Sequence, residues 1–117
     1  ARELNKHPLI DKVYHPAIET SENHHIWKRD FTGSTGLFSF SLKKFYPQSK
    51  IKKMFSKISI FKLGYSWGGY DSLITFPPLS KRQFKTLLKG NLIRVYCGLE
   101  DSSDQIKDII NSLKALK

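Results

Sequence analysis

The sequence predicts an α+β domain in which a mainly antiparallel sheet carries its helices on one face. Several short runs rich in β-forming residues alternate with amphipathic segments that have helical spacing. These elements do not follow the strict β–α–β order that parallel sheets require, which favours antiparallel pairing. At 117 residues the chain is long enough for one domain with its own hydrophobic core.

The first 31 residues predict three short elements. Residues 1–8, "ARELNKHP", favour helix up to the proline, but the run is too short for an isolated helix. We therefore expect it to be the end of a longer helix that begins upstream. Residues 11–15, "DKVYH", predict a strand that stops before Pro16. Residues 21–31, "SENHHIWKRDF", predict a short helix capped by Ser21.

The strongest strand pattern lies in residues 36–45, "GLFSFSLKKF". Its side chains alternate with a period of two, so one face is apolar and the other is mostly polar. This pattern is typical of a half-buried strand. The apolar face contains Phe38, Phe40 and Leu42, and the opposite face contains Leu37, Ser39 and Ser41.

The middle of the chain predicts one helix and two strands. Residues 47–58, "PQSKIKKMFSKI", place lysines on one side of a helix and apolar residues on the other. Residues 58–63, "ISIFKL", and 71–76, "DSLITF", predict strands on either side of a glycine-containing loop. The core face of the helix consists of Ile51, Met54 and Phe55.

The C-terminal third predicts helix, strand and helix. Residues 80–90, "SKRQFKTLLKG", have a serine cap and a glycine stop around a short helix. Residues 92–98, "LIRVYCG", predict a strand, and residues 101–117 predict a final amphipathic helix. The expected buried face of that helix is Ile106, Ile109, Ile110, Leu113 and Leu116.

The net charge of +10 raises the question of nucleic-acid binding. The lysines are dispersed along the chain and far outnumber the arginines. Specific base and phosphate recognition depends on arginine forks, whereas dispersed lysine is typical of a solvated surface. We therefore do not expect nucleic acid as a partner.

The sequence also favours a cytoplasmic protein. Lysines interrupt every apolar run before the roughly 18 residues that a membrane span needs, so no membrane association is expected. The N-terminus does not resemble a signal peptide. The single cysteine, Cys97, has no disulfide partner, and its apolar neighbours favour a buried side chain.

Residues 64–68, "GYSWG", match the G-x-S-x-G pattern of a hydrolase nucleophile elbow. An elbow needs a helix after the serine, and a catalytic histidine later in the chain. Here β-forming residues follow Gly69, and all four histidines precede Ser66. The context does not support Ser66 as a nucleophile.

Histidines 24 and 25 do not predict a metal site. Adjacent residues on a helix point about 100° apart, so the pair cannot chelate one ion as an i, i+4 pair does. No other cluster of histidine or cysteine completes a ligand set. We expect these histidines to lie at a surface or an interface.

Two features instead suggest an anion site. Gly68 and Gly69 can bring backbone close to a ligand, and Arg94 lies inside an apolar strand. Burying a guanidinium is costly unless it meets an anion. From the residues alone, an internal carboxylate and a bound ligand are equally plausible partners. The candidate internal carboxylates are Asp71, Glu100 and Asp101.

Three segments together resemble a known enzyme family. They are "HHIWKRDFTGSTGLFSFSLKK" at 24–44, "FKLGYSWGGYDSLI" at 61–74 and "LIRVYCGLED" at 92–101. In order and spacing they are similar to the C-terminal domain of the cystathionine β-lyases, a branch of the Cys/Met-metabolism pyridoxal-phosphate (PLP) enzymes of fold type I. The resemblance covers nearly the whole chain. It implies that residues 9–117 form the small C-terminal domain and that residues 1–8 lead in from a large domain.

The resemblance implies roles for four residues. Arg94 corresponds to the arginine that grips the α-carboxylate of the substrate, and Ser66 to the serine beside it. Trp67 corresponds to the tryptophan that the β-lyase branch places at the same pocket, and Tyr65 would line the pocket wall. A bidentate fork between arginine and carboxylate suits such a role.

The sequence departs from the family in what it lacks. The lysine that binds PLP and the groups that hold the cofactor belong to the large domain, and none has a counterpart here. We expect no catalytic, cofactor-binding or metal-binding residue in this chain, and no activity from it alone. The implied partners are that PLP-binding domain, a small amino-acid substrate and, in the complete enzyme, the other subunits of a homotetramer.

Alternatives remain for the function. When complete, a cystathionine β-lyase cleaves the C–S bond of cystathionine to give homocysteine, pyruvate and ammonia. The related γ-synthases and γ-lyases usually carry Leu-Gly where this chain has Trp67-Gly68, which favours the β-lyase. The segment from Tyr70 to Leu92 is shorter than in typical members. An alternative from another class is a basic, non-enzymatic module that binds nucleic acid or protein.

Overall fold

The computed structural model describes residues 1–79 and 87–117. This part of the chain forms a five-stranded sheet and four α-helices. The strands are β1 (Ile10–Tyr14), β2 (Leu37–Leu42), β3 (Lys62–Leu63), β4 (Leu73–Thr75) and β5 (Leu92–Tyr96). The helices are α1 (Arg2–Asn5), α2 (His24–Asp30), α3 (Gln48–Phe55) and α4 (Ser102–Leu113), which continues into a 3₁₀ turn, Lys114–Leu116.

The sheet is mixed, with the strand order β1-β2-β5-β4-β3. Three of its four pairings are antiparallel, and the edge strand β3 runs parallel to β4. The α+β class is therefore as expected, although the sheet is not antiparallel throughout. The central strand is β5, and β2 beside it buries Phe38, Phe40 and Leu42, the apolar face that its alternation predicted.

One face of the sheet forms the core with three of the helices. Phe40 pairs with Ile93 across β2 and β5, and Val95 lies between Phe38 and Ile74 on the neighbouring strands. All five side chains are buried. Buried residues from α1, α3, α4 and the last turn complete this cluster: Leu4, Ile51, Met54, Ile109, Leu113 and Leu116.

The sequence predicts a strand at residues 58–63, but only Lys62 and Leu63 pair with a neighbouring strand, as β3. The preceding amides of Ser59, Ile60 and Phe61 donate to the carboxylate of Asp108 on α4, at 2.8 to 3.1 Å. Backbone donors in this segment are thus satisfied by a side chain instead of a neighbouring strand. This contact fixes the approach to β3.

Three helix predictions need comment. Asn23, not Ser21, is the N-cap of α2, and the Ser21 carbonyl accepts a bond from the His24 amide. Ile106 is 36% exposed, because polar Gln105 and Asp108 of α4 turn inward to bond with loops. The helix expected at 80–90 falls largely outside the described residues. Within the described ranges, no helix combines the length and the apolar character needed to cross a membrane.

Candidate functional site

Arg94 lies at the centre of β5, on the sheet face opposite the core. Its direct neighbours across the ladder are Ser39 on β2 and Thr75 on β4. Both side chains are small, so the register leaves space above the sheet for a long side chain. Arg94 itself is half-buried. The sheet therefore presents a guanidinium on a face that the α1, α3 and α4 core does not cover.

The guanidinium contacts backbone oxygens of the loop that joins β3 to β4, here called the 64–72 loop. Its Nη2 donates to the carbonyl oxygen of Tyr65 and, at 3.5 Å, to that of Ser66. Nε and Nη1 donate to no described residue. A guanidinium has five N–H donors, so the described residues accept from a minority of them.

The three carboxylates that the sequence offered as partners of Arg94 are engaged elsewhere. Asp71 pairs with Lys62 at 2.6 Å, and Asp101 caps α4 by accepting from the Ser103 amide at 2.9 Å. Glu100 accepts bonds from Ser72 and Gln105. Over residues 1–79 and 87–117, Arg94 forms no ion pair with a carboxylate. None of the three candidate internal carboxylates is therefore the partner of Arg94.

The 64–72 loop, whose backbone contacts this guanidinium, exposes three aromatic rings. Tyr65, Trp67 and Tyr70 are 69%, 64% and 73% exposed. Gly68 has a φ of 86°, a left-handed conformation that suits glycine. The hydroxyl of Tyr96 donates to the Gly69 carbonyl at 2.9 Å. The structure therefore brings the four predicted site residues into one loop and one strand position, with the loop held from β5.

The C-terminal end of the loop is fixed by polar contacts that the sequence analysis missed. The Leu99 amide donates to the Tyr70 carbonyl at 2.8 Å. Glu100 accepts from the Ser72 amide at 2.9 Å and from its hydroxyl at 2.6 Å. These bonds, the Ser72 hydroxyl foremost, lower the pKa of Glu100 to about 2. Tyr96 could have been found, because it lies two residues from Arg94 on the same strand face.

The structure gives Ser66 and Cys97 no features of a nucleophile. The 64–72 loop leads into strand β4, not into a helix. His15 and His24 bond with the Thr35 and Pro16 carbonyls, and no histidine bonds with Ser66. Burial raises the pKa of the Cys97 thiol, which opposes a thiolate at neutral pH.

The described side chains do not fit a PLP site. A lysine that forms an aldimine needs a partly desolvated, readily deprotonated amine. Lys12 and Lys50 are half-exposed, and the other described lysines are exposed. Hydrogen bonds from Lys12 to Glu22 and from Lys62 to Asp71 raise the pKa of both amines. Nor do the described residues group three metal-ligating side chains together.

The sequence profile of a family described as Cys/Met metabolism PLP-dependent enzyme matches residues 1–114. The chain belongs to this family. The match includes β5 with Arg94 and the whole 64–72 loop, so the candidate site lies inside the family region.

Individual members of the Cys/Met metabolism PLP family are similar over nearly all of the chain. Cystathionine beta-lyase MetC of Escherichia coli (strain K12) is 43% identical over 111 residues, which is 91% of this chain and 28% of the relative. L-alanine/L-glutamate racemase of Wolbachia pipientis wMel is 38% identical, over 99% of this chain and 30% of the relative. Cystathionine gamma-lyase of Sus scrofa is 33% identical, over 98% of this chain and 30% of the relative. The chain thus spans under a third of the length of these relatives.

Proposed function

We propose that this chain is the substrate-carboxylate-binding domain of a PLP-dependent cystathionine β-lyase. The complete enzyme would cleave the C–S bond of cystathionine to homocysteine, pyruvate and ammonia. The observation that carries the proposal is the state of Arg94: the residue is half-buried, its guanidinium is held by backbone oxygens, and it forms no ion pair with a described carboxylate.

In this role Arg94 would bind the α-carboxylate of the amino-acid substrate through a two-pronged hydrogen bond. The bond to the Tyr65 carbonyl holds the guanidinium in place before the ligand arrives, which reduces the ordering cost of binding. Ser66 would donate its exposed hydroxyl to the same carboxylate. The exposed rings of Trp67 and Tyr65 would form the wall of the pocket.

The cofactor would be held by a separate large domain, which accords with the chain spanning 28% of the E. coli relative. PLP supplies the electron sink for breaking the C–S bond in such enzymes. The role left to this chain is binding and orientation. We therefore expect that PLP mixed with the chain alone, followed by borohydride reduction, leaves no pyridoxyl group attached to one specific lysine.

The choice of β-lyase over a γ-branch enzyme rests on Trp67 and on similarity. Identity is 43% with the E. coli β-lyase and 33% with the pig γ-lyase. The racemase relative, at 38%, shows that similar domains occur with other reactions. Because PLP chemistry is directed by how the substrate is oriented, measuring product is the required test.

A chimaera provides that test. The matched segment of the E. coli β-lyase would be replaced by this chain, and pyruvate release from L-cystathionine would be measured. We expect C–S cleavage, and we expect Arg94→Ala to raise KM by about 10- to 100-fold, since hydrogen bonds to charged groups are lost.

The matched control is Arg29→Ala, which removes an exposed arginine that pairs with its neighbour Asp30. This change should leave KM unaltered. An unchanged KM for Arg94→Ala would remove that residue from carboxylate binding. A folded, PLP-loaded chimaera that does not cleave cystathionine would contradict the β-lyase assignment itself.

A further inference from the structure

The carboxylate of Glu100 joins the 64–72 loop to the segment that follows β5. Its Oε1 accepts from the Ser72 amide at 2.9 Å, and its Oε2 accepts from the Ser72 hydroxyl at 2.6 Å. Gln105 of α4 donates to the same Oε2 at 3.3 Å. Both carboxylate oxygens are therefore directed at one end of the loop.

Ser72 completes the junction as a fully buried polar residue. Its hydroxyl oxygen also accepts from the Gly98 amide at 2.8 Å and from Gln105 Nε2 at 3.0 Å. Gly98 lies so close to the loop that a Cβ there would meet the Tyr70 carbonyl oxygen at 2.1 Å. This close packing leaves the C-terminal end of the loop little room to move.

The junction is connected to Arg94 through a short, continuous path. Arg94 and Tyr96 lie on β5, and Glu100 follows four residues after Tyr96. Side chains of β5 and of the segment that follows it thus hold the loop at three places: Arg94 at Tyr65, Tyr96 at Gly69, and the Glu100 junction at Ser72. Of these, the Glu100 junction is the buried one, because the loop residues 65–70 are exposed.

We propose that Glu100 is a positioning residue: its bonds to Ser72 set where the 64–72 loop lies over Arg94, and hence the shape of the carboxylate site. The part concerning the carboxylate rests on the proposed function, whereas the coupling between Glu100 and Arg94 does not. Without the Glu100 carboxylate, the loop end would keep its bonds to Gly98, Gln105 and Leu99 but would lose the acceptor of the Ser72 amide and hydroxyl. The loop would then move away from the guanidinium more often.

The test measures the reaction of arginines with phenylglyoxal in the full 117-residue chain, by mass spectrometry of the peptides. In Glu100→Gln, we expect Arg94 to react about fivefold faster, the factor that corresponds to one lost net hydrogen bond. Arg2 and Arg29 in the same samples should react at unchanged rates. Both are exposed in the folded chain, so they serve as internal references for reagent concentration and labelling efficiency.

Asp104→Asn is the matched control, because it neutralises an exposed carboxylate of α4 that pairs with Lys107 instead of the loop. Ser72→Ala is a second variant. It keeps the hydrogen bond from the backbone amide of residue 72 to Glu100 and removes the hydroxyl. This change should also raise the rate at which phenylglyoxal modifies Arg94. In the variant that combines Glu100→Gln with Ser72→Ala, the rate increase should be smaller than the product of the two single increases. The proposal would be overturned if Arg94 were modified at the same rate in the wild type and in Glu100→Gln. It would also be overturned if Asp104→Asn raised that rate as much as Glu100→Gln does.

A second arm separates this inference from the proposed function. L-cystathionine added to the wild-type chain should slow the modification of Arg94 if the guanidinium binds a substrate carboxylate. Lack of protection at saturating ligand would count against the proposed function. The effect of Glu100→Gln on Arg94, measured without ligand, would still decide the positioning role.

Discussion

Arg94 and Tyr65 are joined by a hydrogen bond from the guanidinium Nη2 to a backbone carbonyl oxygen. The bond comes from β5 and ends on the 64–72 loop, two positions before Trp67. Since a carbonyl carries no net charge, the bond orients the guanidinium without neutralising it. Within residues 1–79 and 87–117, Nε and Nη1 of this oriented guanidinium donate to no other residue, which is the geometry that the proposed carboxylate site needs.

This arrangement predicts that charge alone will not replace Arg94. In Arg94→Lys, one compact ammonium cannot both reach the Tyr65 carbonyl and form a two-pronged bond to a carboxylate. We would test this in the chimaera, where this chain replaces the matched segment of the E. coli β-lyase. There we expect KM for L-cystathionine to rise by about tenfold, because about one hydrogen bond to a charged group is lost. The value of kcat should change less. A lysine variant with the wild-type KM would contradict the two-pronged geometry.

Glycine 98 provides a prediction on stability. A Cβ at Gly98 would lie 2.1 Å from the Tyr70 carbonyl oxygen and 2.7 Å from the Ser72 amide nitrogen, both backbone atoms. Gly98→Ala should therefore lower the free energy of unfolding by about 1–3 kcal/mol, the usual cost of overpacking. Urea unfolding followed by circular dichroism measures this change.

The control is Gly69→Ala, at a glycine whose added Cβ would have nothing within 4 Å and whose φ is not positive. Its unfolding free energy should stay within about 0.5 kcal/mol of the wild type. Equal stabilities for the two alanine variants would show that the 98–100 segment can move away from the loop at little cost.

Asp108 predicts a dependence of stability on pH. Burial acts to raise the pKa of this carboxyl, but the Ser59, Ile60 and Phe61 amides outweigh burial, and the pKa is lowered overall. A carboxyl with a lower pKa in the folded state stabilises the fold above its unfolded pKa of about 3.9. That stabilisation is lost as the pH falls through the folded value.

The variant Asp108→Asn should be less stable than the wild type at pH 7 by about 1–3 kcal/mol, because charged acceptors of buried amides are lost. The difference should shrink as the pH falls below about 4, because the carboxyl is protonated first in the unfolded chain and then, at its lowered pKa, in the folded protein. Urea unfolding at pH 7 and pH 3 tests both statements. Asp104→Asn, at an exposed carboxylate of the same helix, should show neither effect. A difference that stays constant with pH would refute the charge-based explanation.

The elements that could be predicted from the sequence depend on local patterns. The alternation of residues 37–42 defined β2 and its faces, because side-chain direction in a strand follows from position alone. The strand expected at 58–63 was mostly replaced by irregular backbone, since its amide partner, Asp108, lies on α4. A contact between residues that far apart leaves no local signal in one sequence.

In the candidate site too, features with a local sequence signal could be predicted, whereas features that depend on distant contacts could not. The spacing of residues 64–69 and the apolar surroundings of Arg94 marked both as unusual, and the structure brings them together. Ser39 and Thr75, which make room for Arg94, could not be identified, because their role depends on the register between strands. Glu100 was considered as a partner of Arg94, whereas its bonds go to Ser72. The roles of Arg94, Ser66, Trp67 and Tyr65 in substrate binding remain predictions.

Trp67 allows substrate binding to be separated from stability. Its ring is 64% exposed, so the fold gains little from it, and Trp67→Leu should leave the unfolding free energy within about 0.5 kcal/mol of the wild type. If the ring forms the pocket wall beside Arg94, the same change should raise KM for L-cystathionine in the chimaera, because aromatic contact area is lost. Tyr70→Leu is the matched control on the same loop, at a ring that is 73% exposed and has no assigned contact with the substrate. A KM that responds to Tyr70→Leu but not to Trp67→Leu would place the pocket wall at the other end of the loop.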